Sequence, residues 1–163
     1  MNPTRRLALA ALAALLVAPV SLALARQAPT PQAHVHSRAH EVMPFRISAV
    51  MHVFRMTETG GVMQVVLRDP DDTSELAAIR RHLRHEASRF AAGDFADPSH
   101  LHGPSMPGLA ELGRGAARLR VHYAEREDGA EIRFEADDIA LVTAVHRWFG
   151  AQLSEHGADA RAE

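Results

Sequence analysis

The chain has 163 residues, with 18 basic and 20 acidic side chains for a formal balance of −2, and 47% apolar content, enough for one modest domain with its own core. Every basic residue is Arg, there is no Cys, and His occurs 11 times. Disulfides, thiolate metal sites, iron–sulfur clusters, a Cys nucleophile, covalent haem attachment, Lys Schiff bases and a P-loop lysine are thereby excluded.

Residues 1–25 read as a cleaved signal peptide. Arg5 and Arg6 form a short positive region, an apolar run from Leu7 to Ala25 follows, and Ala23-Leu24-Ala25 supplies a small-residue cleavage site. The run is Ala-rich and holds Pro19, which argues against a retained anchor. The Arg pair suits twin-arginine export, but Ala8 stands where a bulky apolar residue is wanted, so the general secretory route stays open. The chain expected after cleavage is periplasmic or secreted, and no later segment is apolar enough to anchor it in a membrane. It keeps 16 Arg against 20 acids and all 11 His, so its balance runs from −4 with neutral imidazoles to +7 with charged ones. A mildly acidic chain without a basic run is a poor partner for nucleic acid.

Residues 26–44 carry Pro, Gln, Ala and His without apolar periodicity and read as a flexible leader, with His34, His36 and His40 in it and Met43 near its end. The folded domain is expected over 45–157. Ser48 to Thr57 alternates, with Val50, His52, Phe54 and Met56 on one face. Residues 58–61 offer a turn, and Val62 to Arg68 a second strand with Met63, Val65 and Leu67 on one face. Asp72, three residues before Glu75, is a capping box for a helix to about Ala92, whose stripe is Leu76, Ile79, Leu83, Ala87 and Phe90. The pattern then recurs. Strands at 117–123 and 130–136 flank a turn at 127–129, and a helix with Leu141, Val142, Val145, Phe149 and Leu153 ends near Gly157. The fold class is α+β: a ββα–ββα pseudo-repeat giving a four-stranded, mainly antiparallel sheet with two helices on one face. Between the passes lies a long loop, 91–116, of a length often tied to function, with a short helix expected at 107–112. Residues 158–163 read as a disordered tail.

The histidines carry the chemistry. His82 and His85 are i, i+3 neighbours on the first helix, close enough to share a metal, with Glu86 able to ligate or to orient a ring. His52 shares its strand face with Val50, Phe54 and Met56 and should point at the helices, where a backbone carbonyl could also satisfy it. His146 flanks the second stripe much as His82 flanks the first, and His122 and His156 suit solvated and helix-end roles. The loop adds His100, His102 and Met106. His and Met without Cys suit copper, and His with carboxylate suits zinc. The order H-x-x-H-E at 82–86 is not that of zinc proteases, there is no G-x-S-x-G, and a noncatalytic role is the reading favoured.

The blocks MHVFRMTETGGV, IRRHLRHEASRFAAGDF, HLHGPSMPG and AVHRWFGAQLSEHG, spread over Met43 to Gly157, resemble a family of small exported, histidine-rich bacterial proteins to which no function is attached. The resemblance covers His52, His82, His85, His100, His102, His146 and His156 but not the leader histidines, and so points to the domain rather than the leader. Such chains sometimes carry a carbamoyltransferase name, for which this sequence offers no carbamoyl-phosphate loop and too short a chain.

The expected function is binding of a transition metal ion, copper first and zinc second, as buffer, carrier or sensor. His82, His85, His102, His52 and His146 are the expected ligands, with Glu86, His100 and Met106 as secondary candidates. Two alternatives stand beside it. One is a module binding haem or another envelope protein, and the other a pH-responsive structural envelope protein without metal.

Overall fold

The computed structural model describes residues 29–163, so the expected signal peptide lies outside the described residues. Helix α1 spans Pro31–Val42, hairpin β1–β2 spans Val50–Thr57 and Gly60–Leu67, and α2 spans Leu76–Ala91. Short helices α3 (Ala96–His102) and α4 (Leu109–Gly115) lead to hairpin β3–β4 (Arg120–Arg126, Gly129–Glu135), α5 (Ile139–His156) and a short β5 (Ala160–Ala162). Among the described residues no helix is long and apolar enough to cross a membrane.

The fold is α+β, and the two hairpin-then-helix passes occur in the expected order. The sheet differs from the expectation. It has five strands in the order β3-β4-β2-β1-β5 and is mixed, because β5 pairs parallel to β1 through His52↔Ala160 and Phe54↔Ala162. Ala160-Arg161-Ala162 is too short, and its apolar residues too small, to announce a strand. What it offers is backbone: after α5 the chain turns at Gly157 (φ 56°) and covers the edge that β1 would otherwise leave unpaired. Residues 160–162 of the expected disordered tail are thus part of the sheet.

The two hairpins meet through β2 and β4, antiparallel in register Val62↔Arg133 and Val65↔Ala130. The approach is close. A Cβ on Gly129 would lie 2.0 Å from the Val65 carbonyl oxygen, so this position is confined to glycine by its neighbour strand. Alternation on β1, β2 and β4 turns Val50, Phe54, Met63, Val65, Ile132 and Phe134 to one side, where they pack with Ile79, Leu83 and Phe90 of α2 and Val145, Trp148 and Phe149 of α5. Trp148 is the hub: its ring lies 5.6 Å from Phe90, 5.7 Å from Phe95 and 5.3 Å from Phe134 between centroids, each edge-to-face.

The leader reading is also corrected for residues 31–42, which form α1. Thr30 caps it by accepting from the Ala33 backbone N–H at 3.2 Å, Pro31 opens it, and Val35 and Ala39 are buried. Two small buried residues one turn apart leave almost no periodic signal. The Asp159 carboxylate holds α1 down. It accepts from Gln32 Nε2 (3.0 Å), pairs with His36, and takes Arg68 at the end of β2 (2.6 Å). The long loop is ordered as α3 and α4, with Leu101, Met106, Leu109 and Leu112 buried; the short helix runs over 109–115 rather than 107–112.

Gly129→Ala is expected to destabilise the fold by about 2 kcal/mol or more, since backbone of β2 must move to admit the methyl group. Urea unfolding checks it, and an unchanged midpoint would show that the two hairpins join less tightly than this.

Candidate functional site

A row of side chains on each long helix faces the same space. On α2 the row is His82, Glu86 and Phe90; on α5 it is Trp148, Gln152 and His156, each one turn after the last. Between them, over His52 of β1 and Met63 of β2, lies a cavity of about 60 Å³. Met43 and Phe45 after α1, with Asp97, Leu101 and His102 of α3, line its outer side. That volume holds about four water molecules.

At one end three imidazoles gather. His52 and His156 stack with centroids 4.5 Å apart, and His102 lies 5.1 Å from His156. His52 is 4% exposed, His156 is 2% exposed, and the His102 side chain is 1% exposed. Burial pushes the His52 imidazole down to about 4 and holds His156 well below the usual range, so both rings are neutral at neutral pH. Burial also lowers His102, opposed by Glu155, whose carboxylate lies 2.8 Å from its Nδ1. With Nδ1–H donating to Glu155, Nε2 keeps the lone pair.

Four polar atoms on this wall are buried without a protein partner: Nδ1 of His52, Nδ1 of His156, Oε1 of Gln152 and Nε1 of Trp148. Each such group costs about 1–3 kcal/mol. One orphan is an ordinary imperfection; four on residues grouped around one small cavity ask for an explanation.

The α2 wall is acidic. Glu86 is 4% exposed, and burial followed by the charge of Asp97 raises its carboxyl to about 7. Arg89 stands over the pair, 2.6 Å from Asp97 Oδ2 and 3.5 Å from Glu86 Oε1, and its Nε donates to Asp94 at 2.9 Å. His82 sits beside them, edge-on to Phe45 at 5.6 Å, and burial lowers it to about 4.

Of the expected ligands, His52, His82 and His102 are therefore brought to one cavity, with Glu86. His85 is not: three residues past His82, it faces out from α2 and is exposed. His146 is not either, because its Nε2 lies 2.8 Å from the Gly60 carbonyl and 2.9 Å from that of Thr57, donating to the β1–β2 turn. His100 ties α3 to α1 through Glu41 at 2.6 Å, and Met106 is packed in the core outside the cavity wall. His156 was expected to serve as a helix-end residue and instead belongs to the trio. Its spacing of four from Gln152 and eight from Trp148 was the signal that could have found it. Among the described residues no three His, Asp or Glu side chains converge as a ready metal-binding group. Compared with protein-family models, curated proteins and solved structures, the chain gives no significant match.

Buried neutral histidines make stability depend on acidity. Unfolded, these rings take protons near 6.5; folded, His52 and His82 resist to about 4 and His156 resists as well. The unfolded chain therefore binds more protons between those values, and stability is lost as pH falls through that window. Glu86 acts oppositely, since its native carboxyl keeps a proton between 4.5 and about 7 that the unfolded chain releases. Three imidazoles outweigh one carboxyl. The urea midpoint is expected to fall between about pH 7 and about pH 5, and to fall less in His52→Gln. A midpoint that rises on acidification would refute the neutral state of His52, His82 and His156.

Proposed function

We propose that this chain is an exported protein, periplasmic or secreted, that binds one transition metal ion in the cavity between α2 and α5, copper first and zinc second. It would buffer, carry or sense the ion rather than run a reaction. His52, His102 and His156 are the ligands of this reading, and His82 with Glu86 on the α2 wall is a further donor pair. The observation that carries it is the buried trio itself: three imidazoles on one wall, two with an Nδ1 that no protein group satisfies.

The chemistry of the donors supports it. A metal needs the lone pair of a neutral imidazole, and burial already keeps these rings neutral. Ligating histidines commonly donate their second ring nitrogen to a carboxylate that fixes the ring, and Glu155 stands in that relation to His102. Ring centroids 4.5 and 5.1 Å apart lie within the span over which one ion reaches two imidazoles at metal–nitrogen distances of about 2.0 Å. Closing a coordination sphere then asks for side-chain rotation of the stacked pair. A haem would need far more room than about 60 Å³, so the metal ion is favoured over the macrocycle.

The sole Trp lies on the cavity wall and serves as a built-in reporter. Titration with Cu(II) is expected to quench Trp148 emission to an endpoint of one ion per chain, and elemental analysis should give the same stoichiometry. In the double variant His102→Gln/His156→Gln the endpoint should vanish with the circular dichroism spectrum retained. Glu155→Gln should weaken binding by about tenfold to a hundredfold without abolishing it. His85→Ala should bind as the parent does. Equal binding by the double variant would remove the trio from the site.

A further inference from the structure

We infer that α1, with Val42 at its end and Met43 and Phe45 beyond it, is a hinged flap, and that the cavity fills and empties as the flap swings away from α3 and α5. This goes beyond the metal-binding reading above, since it concerns access and stands whatever the occupant is.

Placement comes first. α1 packs against α3 and α5. There His34 lies near His102 and His36 near His156, so the helix runs over the seam from which two of the three imidazoles come. Of the side chains around the cavity, Val42, Met43, His82 and Asp97 are half-buried and mark its mouth, whereas Phe90, Trp148, Gln152 and His156 behind them are buried. One side of that mouth is therefore the end of α1.

Attachment points the same way. α1 buries two small residues, Val35 and Ala39, where α2 buries five residues and α5 eight. A helix of 12 residues is marginal in water, so α1 keeps its form only while docked. Its other ties are polar. Asp159 accepts from Gln32 at 3.0 Å and pairs with His36, and Glu41 meets His100 at 2.6 Å between exposed side chains. Exposed pairs of that kind contribute little. The joint is short as well. Between α1 and β1 lie Met43 to Ala49, and Pro44 ends the helix by holding Met43 extended (φ −96°, ψ 120°). Arg46 ties the far side of the joint to Glu75 at 2.6 Å. A weakly docked element on a joint of a few residues, placed at the mouth of a cavity, is the arrangement of a lid.

The test uses the whole protein as isolated from cells, with chelator present. Hydrogen exchange read by mass spectrometry is expected to show α1 amides exchanging together, about a hundredfold faster than those of α5. With no Cys in the chain and its one Trp on the cavity wall, the flap can also be locked and its opening read. A Cβ on Gly157 would lie 3.5 Å from that of Gln32, within the span of a disulfide. The double variant Gln32→Cys/Gly157→Cys, once oxidised, pins α1 to the end of α5, and its reduced form controls for a side chain at φ 56°. Acrylamide quenching of Trp148 should fall several-fold on oxidation, and should rise in Gln32→Ala/His36→Ala. Exchange of α1 as slow as that of α5 would overturn the flap, even where the double variant fails to fold. Equal quenching of the oxidised and reduced lock would overturn it too. Neither readout involves a metal, so the flap and the metal-binding reading can each fail alone.

Discussion

The Asp159 carboxylate is the point on which the walls of the cavity depend. It is 7% exposed and joins three parts of the chain that local sequence would not bring together: α1 through Gln32 and His36, the end of β2 through Arg68, and the turn into β5 on which it stands. Each link holds a wall. Without α1 in place, Met43 and Phe45 have no reason to lie over the cavity. Without β5, the edge of β1 that carries His52 is open to water. A buried carboxylate carries a desolvation cost, and here an Arg at 2.6 Å and an amide at 3.0 Å offset it. Burial pushes this carboxyl's pKa up, but its polar partners win, and it titrates below the usual aspartate range.

The other constraint is apolar. The rings of Trp148, Phe90, Phe95, Phe134 and Phe149 form one contiguous cluster under the cavity, with every pair in contact tilted, edge-to-face or stacked. Burial of such rings is the largest stabilising contribution available to a chain of this size, on the order of 2–3 kcal/mol each. That surplus lets the same two helices carry polar residues one turn away. Phe90 and Trp148 are the inner members of the rows that end in His82 and His156. Rigid aromatic packing at one end of each row fixes where the polar end sits, and so helps to place His82 and His156.

How much of this could be read in the sequence follows from what each element buries. The two hairpins and the stripes of α2 and α5 were legible, because regular alternation and a broad apolar face leave a periodic mark. α1 and β5 were not: one buries two small residues, the other pairs by backbone alone, and neither act changes composition. The same division runs through the site. His52 was legible as an inward residue from strand alternation, and His82 with Glu86 from helical spacing. His146 was misplaced because helical proximity to a stripe does not say which side of it a ring takes, whereas His85, a net rotation of about 60° from His82, points away from the core as its place on α2 implies and so cannot join His82 in the cavity. His102 and His156 come together only through tertiary contacts among α1, α3 and α5, which no local pattern encodes.

Four unpartnered polar atoms on one wall are a standing cost, and a fold selected only for stability would replace them with aliphatic groups of like volume. The wall instead keeps an imidazole on β1, another on α5, an amide between α5's imidazole and its indole, and a carboxylate that orients the third imidazole. Three separate elements contribute, so no single local preference explains the gathering. Low dielectric makes each of these groups expensive alone and makes each strong once it has a partner. An ion that satisfies two or three of them at once recovers the cost in one step. In the metal-binding reading proposed above, the unsatisfied histidines would store part of the free energy of holding the ion.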